Sequence, residues 1–484
     1  MNVEAERTSL LRYSLGYLWA KGIPGIINFT AIAVYTRLVS PEDFGFFALV
    51  IASVLLANAV FFQWLRLSLL RFLTASSNQD SSLAAALYGF AATVLLTGAI
   101  GTLPLLLADS PHTKAAWLLG IGLLWVHAWF ELNSDILRAR LSPVRHGIAS
   151  VLRAVTSLVS GALLATYGAG GWGLIAGALV GTLAPAPLFN SWIWFNQKGA
   201  RPSLESIRAM LQYGLPLTAS LSLGFIIRGS DRLILGWLAD STAVGVYAAG
   251  YDLAQNSLEV LMAVVNLAAF TLAVNALSSH GVLAARRQLA ANLSLLTAIA
   301  LPATAGLWMT SSNLSRVVLG VSFREDAALI IPWVAVGVLL SGLRAYYVDH
   351  AFQLGNRTSL LIWVLLPAAA VNVVLNIALI PEHGVLGAAY ATVVAYAMSF
   401  VIGVFAARKA FPIPFPLTNL AKAVGASCVM VAALSPLTDM SGPIALLTQI
   451  ATGTLSYAIA LFALDGLGMR TSLTRRMRGV VRQG

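Results

Sequence analysis

The chain has 484 residues, 58% hydrophobic and 10% charged, with a formal net charge of +11. Soluble domains carry about 25% charged residues, so a chain this apolar cannot cover itself with polar surface and takes lipid as its solvent. Nucleic-acid binders cluster basic residues on a soluble face among stacking aromatics; here Lys and Arg punctuate apolar runs, so the charge reads as membrane topology and no nucleic-acid partner is expected.

A spanning helix needs about 20 mostly apolar residues. The first candidate, 14–36, follows a start with acids among its first residues and no small-residue cleavage site, so it is expected to stay as a membrane helix. Further spans are predicted at 43–65, 83–107, 115–137, 147–168, 172–195, 212–238, 243–269, 288–309, 328–352, 360–379, 385–406, 418–437 and 445–466. With the N-terminus inside, 21 Lys and Arg fall on the cytoplasmic side, counting Lys422 near the inner end of 418–437, and four on the outer side. A missed span would invert every later loop, so the positive-inside rule supports an even count near fourteen, with both termini cytoplasmic. The inter-span segments are too short for a soluble domain. Cys428 is the only cysteine, which excludes an intramolecular disulfide.

Residues 13–48 and 213–248 match at an offset of 200: Tyr13 with Tyr213, Leu38 with Leu238, Gly45 with Gly245, Ala48 with Ala248. A second echo places Gly170 and Gly173 at the start of span 6, and Gly384 and Gly387 at the start of span 12. Six intervening helices make the repeats parallel. The predicted fold is an all-α polytopic membrane protein of two parallel six-helix lobes plus two C-terminal helices. The lobes are expected at 1–205 and 206–410, with the extra helices and a basic cytoplasmic tail over 411–484. That tail, RTSLTRRMRGVVRQG, suits an anchor on anionic lipid.

Besides Lys422 near the inner end of its span, five basic residues lie inside spans: Lys21, Arg153, Arg228, Arg232 and Arg344. Charges there are costly and by default face a bundle interior or wet cavity. Asn28 lies two turns from Lys21 on the same face. Together these six residues are candidates for binding an anionic group. Asp231 lies between Arg228 and Arg232 at helical spacing and could instead neutralise either. Asp252, Asn256, Glu259 and Asn266 form one stripe along span 8; Asp252 and Glu259 are candidates for coupling to a proton or sodium ion. His127, Glu131, Asp135 and Arg138 form another in span 4, read as mutually paired and able to snorkel at the cytoplasmic interface. Asn372 and Asn376 read as interhelical hydrogen bonds. No catalytic residue, metal site or cofactor is expected.

The segments TRLVSPEDFGFFAL (36–49) and SDRLILGWLADSTAVGVYAAGYDL (230–253) resemble the Wzx-like oligosaccharide flippases of polysaccharide export, in the MATE-like (MOP) exporter superfamily. The resemblance rests on Pro41, Phe44, Gly45 and Phe46, and on Asp231, Arg232, Gly236, Gly245 and Tyr247. It implies a bacterial inner-membrane flippase. Such a protein would carry an undecaprenyl-diphosphate-linked oligosaccharide from the cytoplasmic to the periplasmic leaflet, for lipopolysaccharide or exopolysaccharide, by alternating access. The implied partners are the lipid-linked oligosaccharide, membrane lipids, and a polysaccharide polymerase and chain-length regulator. Spans 13 and 14 could hold the lipid tail. A MATE-type drug or cation exporter and a membrane enzyme of polysaccharide assembly remain as alternatives.

Overall fold

In a computed structural model the described residues are 22–75, 79–107, 109–140, 142–189, 194, 203–468 and 470–471, and among them there is no strand. Helix α1 covers 22–38. The succeeding helices are α2 (Pro41–Phe61), α3 (Gln63–Ala75), α4 (Gln79–Leu107), α5 (Pro111–Ala139), α6 (Pro143–Leu164), α7 (Gly170–Leu183) and α8 (Leu204–Leu238). Then come α9 (Ser241–Val318), α10 (Arg324–Leu343), α11 (Asp349–Leu354), α12 (Leu360–Ala407), α13 (Leu417–Leu434) and α14 (Pro443–Ala463).

Nine helical stretches among the described residues are long and apolar enough to cross a membrane, and α8, bent by 43°, makes a tenth. Pro216 lies inside α8 near its bend and removes a backbone hydrogen bond there. Three of the nine, with 46, 78 and 48 residues, would reach about 70–115 Å at 1.5 Å per residue. The hydrocarbon core is about 30 Å thick, so each must fold back. Each does so at glycine. In α9 the turn is Gly281 (φ +75°), and Asn292 donates to the Ala269 carbonyl across it at 2.8 Å. In α12 it is Gly384, and between α6 and α7 it is Gly168 and Gly170. Counting these three as two passes each, with α8 and α1 added, gives fourteen helical passes among the described residues, as the sequence predicts.

The second sequence echo has a backbone basis. Gly170 has φ 51°, ψ −135°, and Gly384 has φ 54°, ψ −130°. The two glycines make the same turn, in a region that side chains disfavour. Beyond the first turn, Gly173, Gly177 and Gly181 let α7 lie against α6. A methyl group on Gly177 would sit 2.4 Å from the Gly161 Cα.

The offset-200 repeat is also physical. Ser40 caps α2 by accepting from the Asp43 N–H at 3.1 Å; Asp240 caps α9 by accepting from the Ala243 N–H at 2.7 Å. The two capped ends cross at Gly45 and Gly245. A methyl group on Gly45 would meet the Ser241 carbonyl oxygen at 1.7 Å, and one on Gly245 the Pro41 carbonyl oxygen at 1.9 Å. All four residues are related by the same offset, so the crossing is symmetric, and only glycine permits it.

Packing divides the chain into two compact units, Met1–Ala248 and Ala249–Gly484. In the first, Ser222 of α8 donates to the Ala59 carbonyl of α2 at 2.9 Å. Leu65, Leu69 and Leu73 of α3 bury one i, i+4, i+8 stripe among Leu83, Leu132, Ile136 and Met210. In the second, α13 and α14 rest on the latter half of α9. Asn313 donates to Gln449 at 2.9 Å, and Tyr457 donates to the Ala298 carbonyl at 2.7 Å.

Candidate functional site

The first unit gathers its charges where α3, α5 and α6 meet. The leucine stripe of α3 turns Arg66 toward α5. On α5, His127, Glu131 and Asp135 recur at four-residue spacing and so share one face. Arg66 holds both carboxylates: its Nη2 lies 2.7 Å from Glu131 Oε2, and its Nε donates to Asp135 Oδ2 at 2.8 Å. Arg138 takes the other oxygen of Asp135.

Arg153 enters from α6 with looser contacts. Its Nη1 is 3.5 Å from Glu131 Oε1, and its Nη2 donates to His127 Nδ1 at 3.3 Å. Arginine has only donors, so Nδ1 is the acceptor and the imidazole proton sits on Nε2. The guanidinium lies 4.7 Å above the Phe130 ring, a cation–π position. Arg66 is 13% exposed and Asp135 5%, whereas Arg153 is 31% exposed. Three guanidiniums thus face two carboxylates, and Arg153 is the cation held least tightly. The cluster can accept a multiply charged anion at Arg153 without dismantling the Arg66 pairs.

The sequence singles out Arg153, and the structure brings it together with Glu131 and His127. Within the span-4 stripe Asp135 and Arg138 pair with each other as expected, whereas Glu131 and His127 take Arg66 and Arg153 from other helices. The predicted spans 43–65 and 83–107 leave Arg66 between them; it lies instead in α3. The missed signal is the leucine spacing after Phe62, which continues the helix beyond position 65.

The other candidates lie elsewhere. Lys21 is outside the described residues. Asn28 and Arg228 are exposed, and Arg232 is half-buried. Asp231 is fully buried; it accepts from the Tyr247 hydroxyl and from the Arg232 N–H. In the second unit Asp252 and Glu259 are half-buried on α9, and Gln255 donates to Glu259 at 2.7 Å. Asn372 and Asn376 are fully buried.

Arg344 donates to Asp349 at 2.7 Å. A regular α-helix turns residues five apart to different faces. Here residues 344–348 form a π turn, whose i to i+5 repeat brings the two together. Arg344 Nε, Asp349 Oδ1 and His350 Nδ1 are buried without hydrogen-bond partners, and the His350 ring lies 4.9 Å from that of Phe270. Among the described residues no group of three or more His, Cys, Asp or Glu could hold a metal ion.

Comparison with known proteins gives this geometry a context. The fold matches the inward closed conformation of the lipid II flippase MurJ, with a TM-score of 0.76 at 16% identity over 94% of this chain and 99% of that one. It also matches an inward-facing multidrug-resistance MATE transporter of the MOP superfamily (TM-score 0.62, 14% identity, 81% and 97% covered). A third match is a MOP superfamily transporter from Pyrococcus furiosus, described as having a binding pocket of reversed polarity (TM-score 0.58, 14% identity, 83% and 94% covered). At these identities the likeness is one of fold. No curated protein matches the sequence. A family profile described as "Polysaccharide biosynthesis protein" matches residues 34–328, more than half of the chain. The chain is a multi-pass membrane protein with the MOP-superfamily fold, and it belongs to the polysaccharide biosynthesis protein family.

Proposed function

We propose that the chain is a flippase carrying an undecaprenyl-diphosphate-linked oligosaccharide across the inner membrane, from the cytoplasmic to the periplasmic leaflet. The product would serve lipopolysaccharide or exopolysaccharide synthesis. The observation that carries this reading is the Arg153 cluster, a partly buried, net-positive site inside a membrane fold. A diphosphate is multiply anionic, and guanidinium forks bind it through paired charge-assisted hydrogen bonds. Three guanidiniums against two carboxylates favour an anionic cargo over a cationic drug.

In this reading Arg153 takes the headgroup. Lys21, Asn28, Arg228, Arg232 and Arg344 are further candidates for contacts to the anionic cargo, and Asp252 and Glu259 for coupling transport to an ion gradient. The lobes 1–205 and 206–410 rock in alternating access. Helices α13 and α14 hold the lipid tail, and both termini are cytoplasmic. Glycan polymerase and chain-length regulator would act downstream. The test is made in cells: Arg153→Ala and Arg228→Ala should each abolish surface polysaccharide while the protein stays in the membrane. Normal polysaccharide in both variants would sink the reading.

A further inference from the structure

On the reading that Arg153 binds the diphosphate, we infer that Glu131 is the built-in counter-anion of that site, a carboxylate that occupies Arg153 when cargo is absent and expels the cargo when it leaves.

The inference rests on how the two oxygens of Glu131 are used. Oε2 lies 2.7 Å from Arg66, within the short range of charge-assisted bonds. Oε1 reaches Arg153 only at 3.5 Å. Glu131 is therefore anchored by one cation and lent to another. When Arg153 turns to a diphosphate, Glu131 keeps its short bond and loses only the long one. Arg66 also stays in place, because Asp135 holds its Nε.

Arg153 is 31% exposed, so solvent offsets part of the cost of leaving its guanidinium unpaired, and a nearby carboxylate offsets the rest. Arg153 needs an anion in both the empty and the loaded state, and Glu131 supplies it in the empty one. His127 and Phe130 hold the guanidinium within reach but bring no negative charge. Cargo must then displace Glu131 to bind, which limits its affinity, and Glu131 returns to displace it. A transporter needs that limit, because a site that binds too tightly does not release.

Glu131→Gln keeps the shape and removes the charge, so that three guanidiniums face one carboxylate. Inorganic diphosphate titrated onto the detergent-purified full chain should bind Glu131→Gln about tenfold or more tighter than wild type. In vesicles, flipping of an undecaprenyl-diphosphate sugar should show a lower KM together with a lower kcat, the signature of impaired release. Glu131→Asp, one methylene shorter, should fall between the two, and it carries the test if Glu131→Gln does not fold. Unchanged or weaker diphosphate binding in the folded variant would overturn the inference and leave Glu131 a positioning residue. The underlying reading fails differently: wild type and Arg153→Gln would then bind diphosphate equally, or neither would bind it.

Discussion

In the first unit, Arg66, Glu131, Asp135, Arg138 and Arg153 share bonds across three helices. In the second, Arg344 and Asp349 face each other within one π turn. The first arrangement ties elements far apart in sequence and ends with more cations than anions. The second ties a turn to itself and is neutral. Burying a pair gains little net stability, whereas breaking one is expensive. The positive network is thus poorly explained as a fastening device. A local pair can shape a helix; the network also carries an excess of positive charge.

The comparison can be broken by removing one group from each. Arg66→Met should have the largest effect, because both carboxylates lose their shared cation at once. A loss of about 3–5 kcal/mol is expected, measured as unfolding of the purified protein in mixed micelles. A loss no larger than that of an exposed substitution would mean the network is not a unit. Asp349→Asn should cost less, about 1.5–3 kcal/mol, because the amide oxygen can still accept from Arg344 and only the charge of the hydrogen bond is lost. Hydrogen exchange should then rise over 344–354 and not in α9. If Asp349→Asn equals or exceeds Arg66→Met, the contrast between network and local pair is wrong.

Fourteen passes were legible in the sequence because apolar length and the bias of Lys and Arg are local quantities. The repeat was legible for the same reason. Its glycines proved to be the backbone turns at Gly170 and Gly384 and the symmetric crossing at Gly45 and Gly245. Arg153 stood out as a charge inside a span. Its surroundings did not, because Arg66 meets Asp135 from 69 positions away and spacing along one helix cannot report contacts between helices. Asp349 escaped notice because its pairing depends on a π turn, which no α-helical periodicity foretells.

The central claim is that Arg153 takes the diphosphate of a lipid-linked glycan during transfer across the bilayer. The most direct measurement reconstitutes the purified chain in liposomes carrying an undecaprenyl-diphosphate oligosaccharide in the inner leaflet. The appearance of that oligosaccharide outside is followed by its susceptibility to an added glycosidase. Wild type should expose it, and Arg153→Gln should expose it no faster than empty liposomes. Transfer by Arg153→Gln at the wild-type rate would contradict the account.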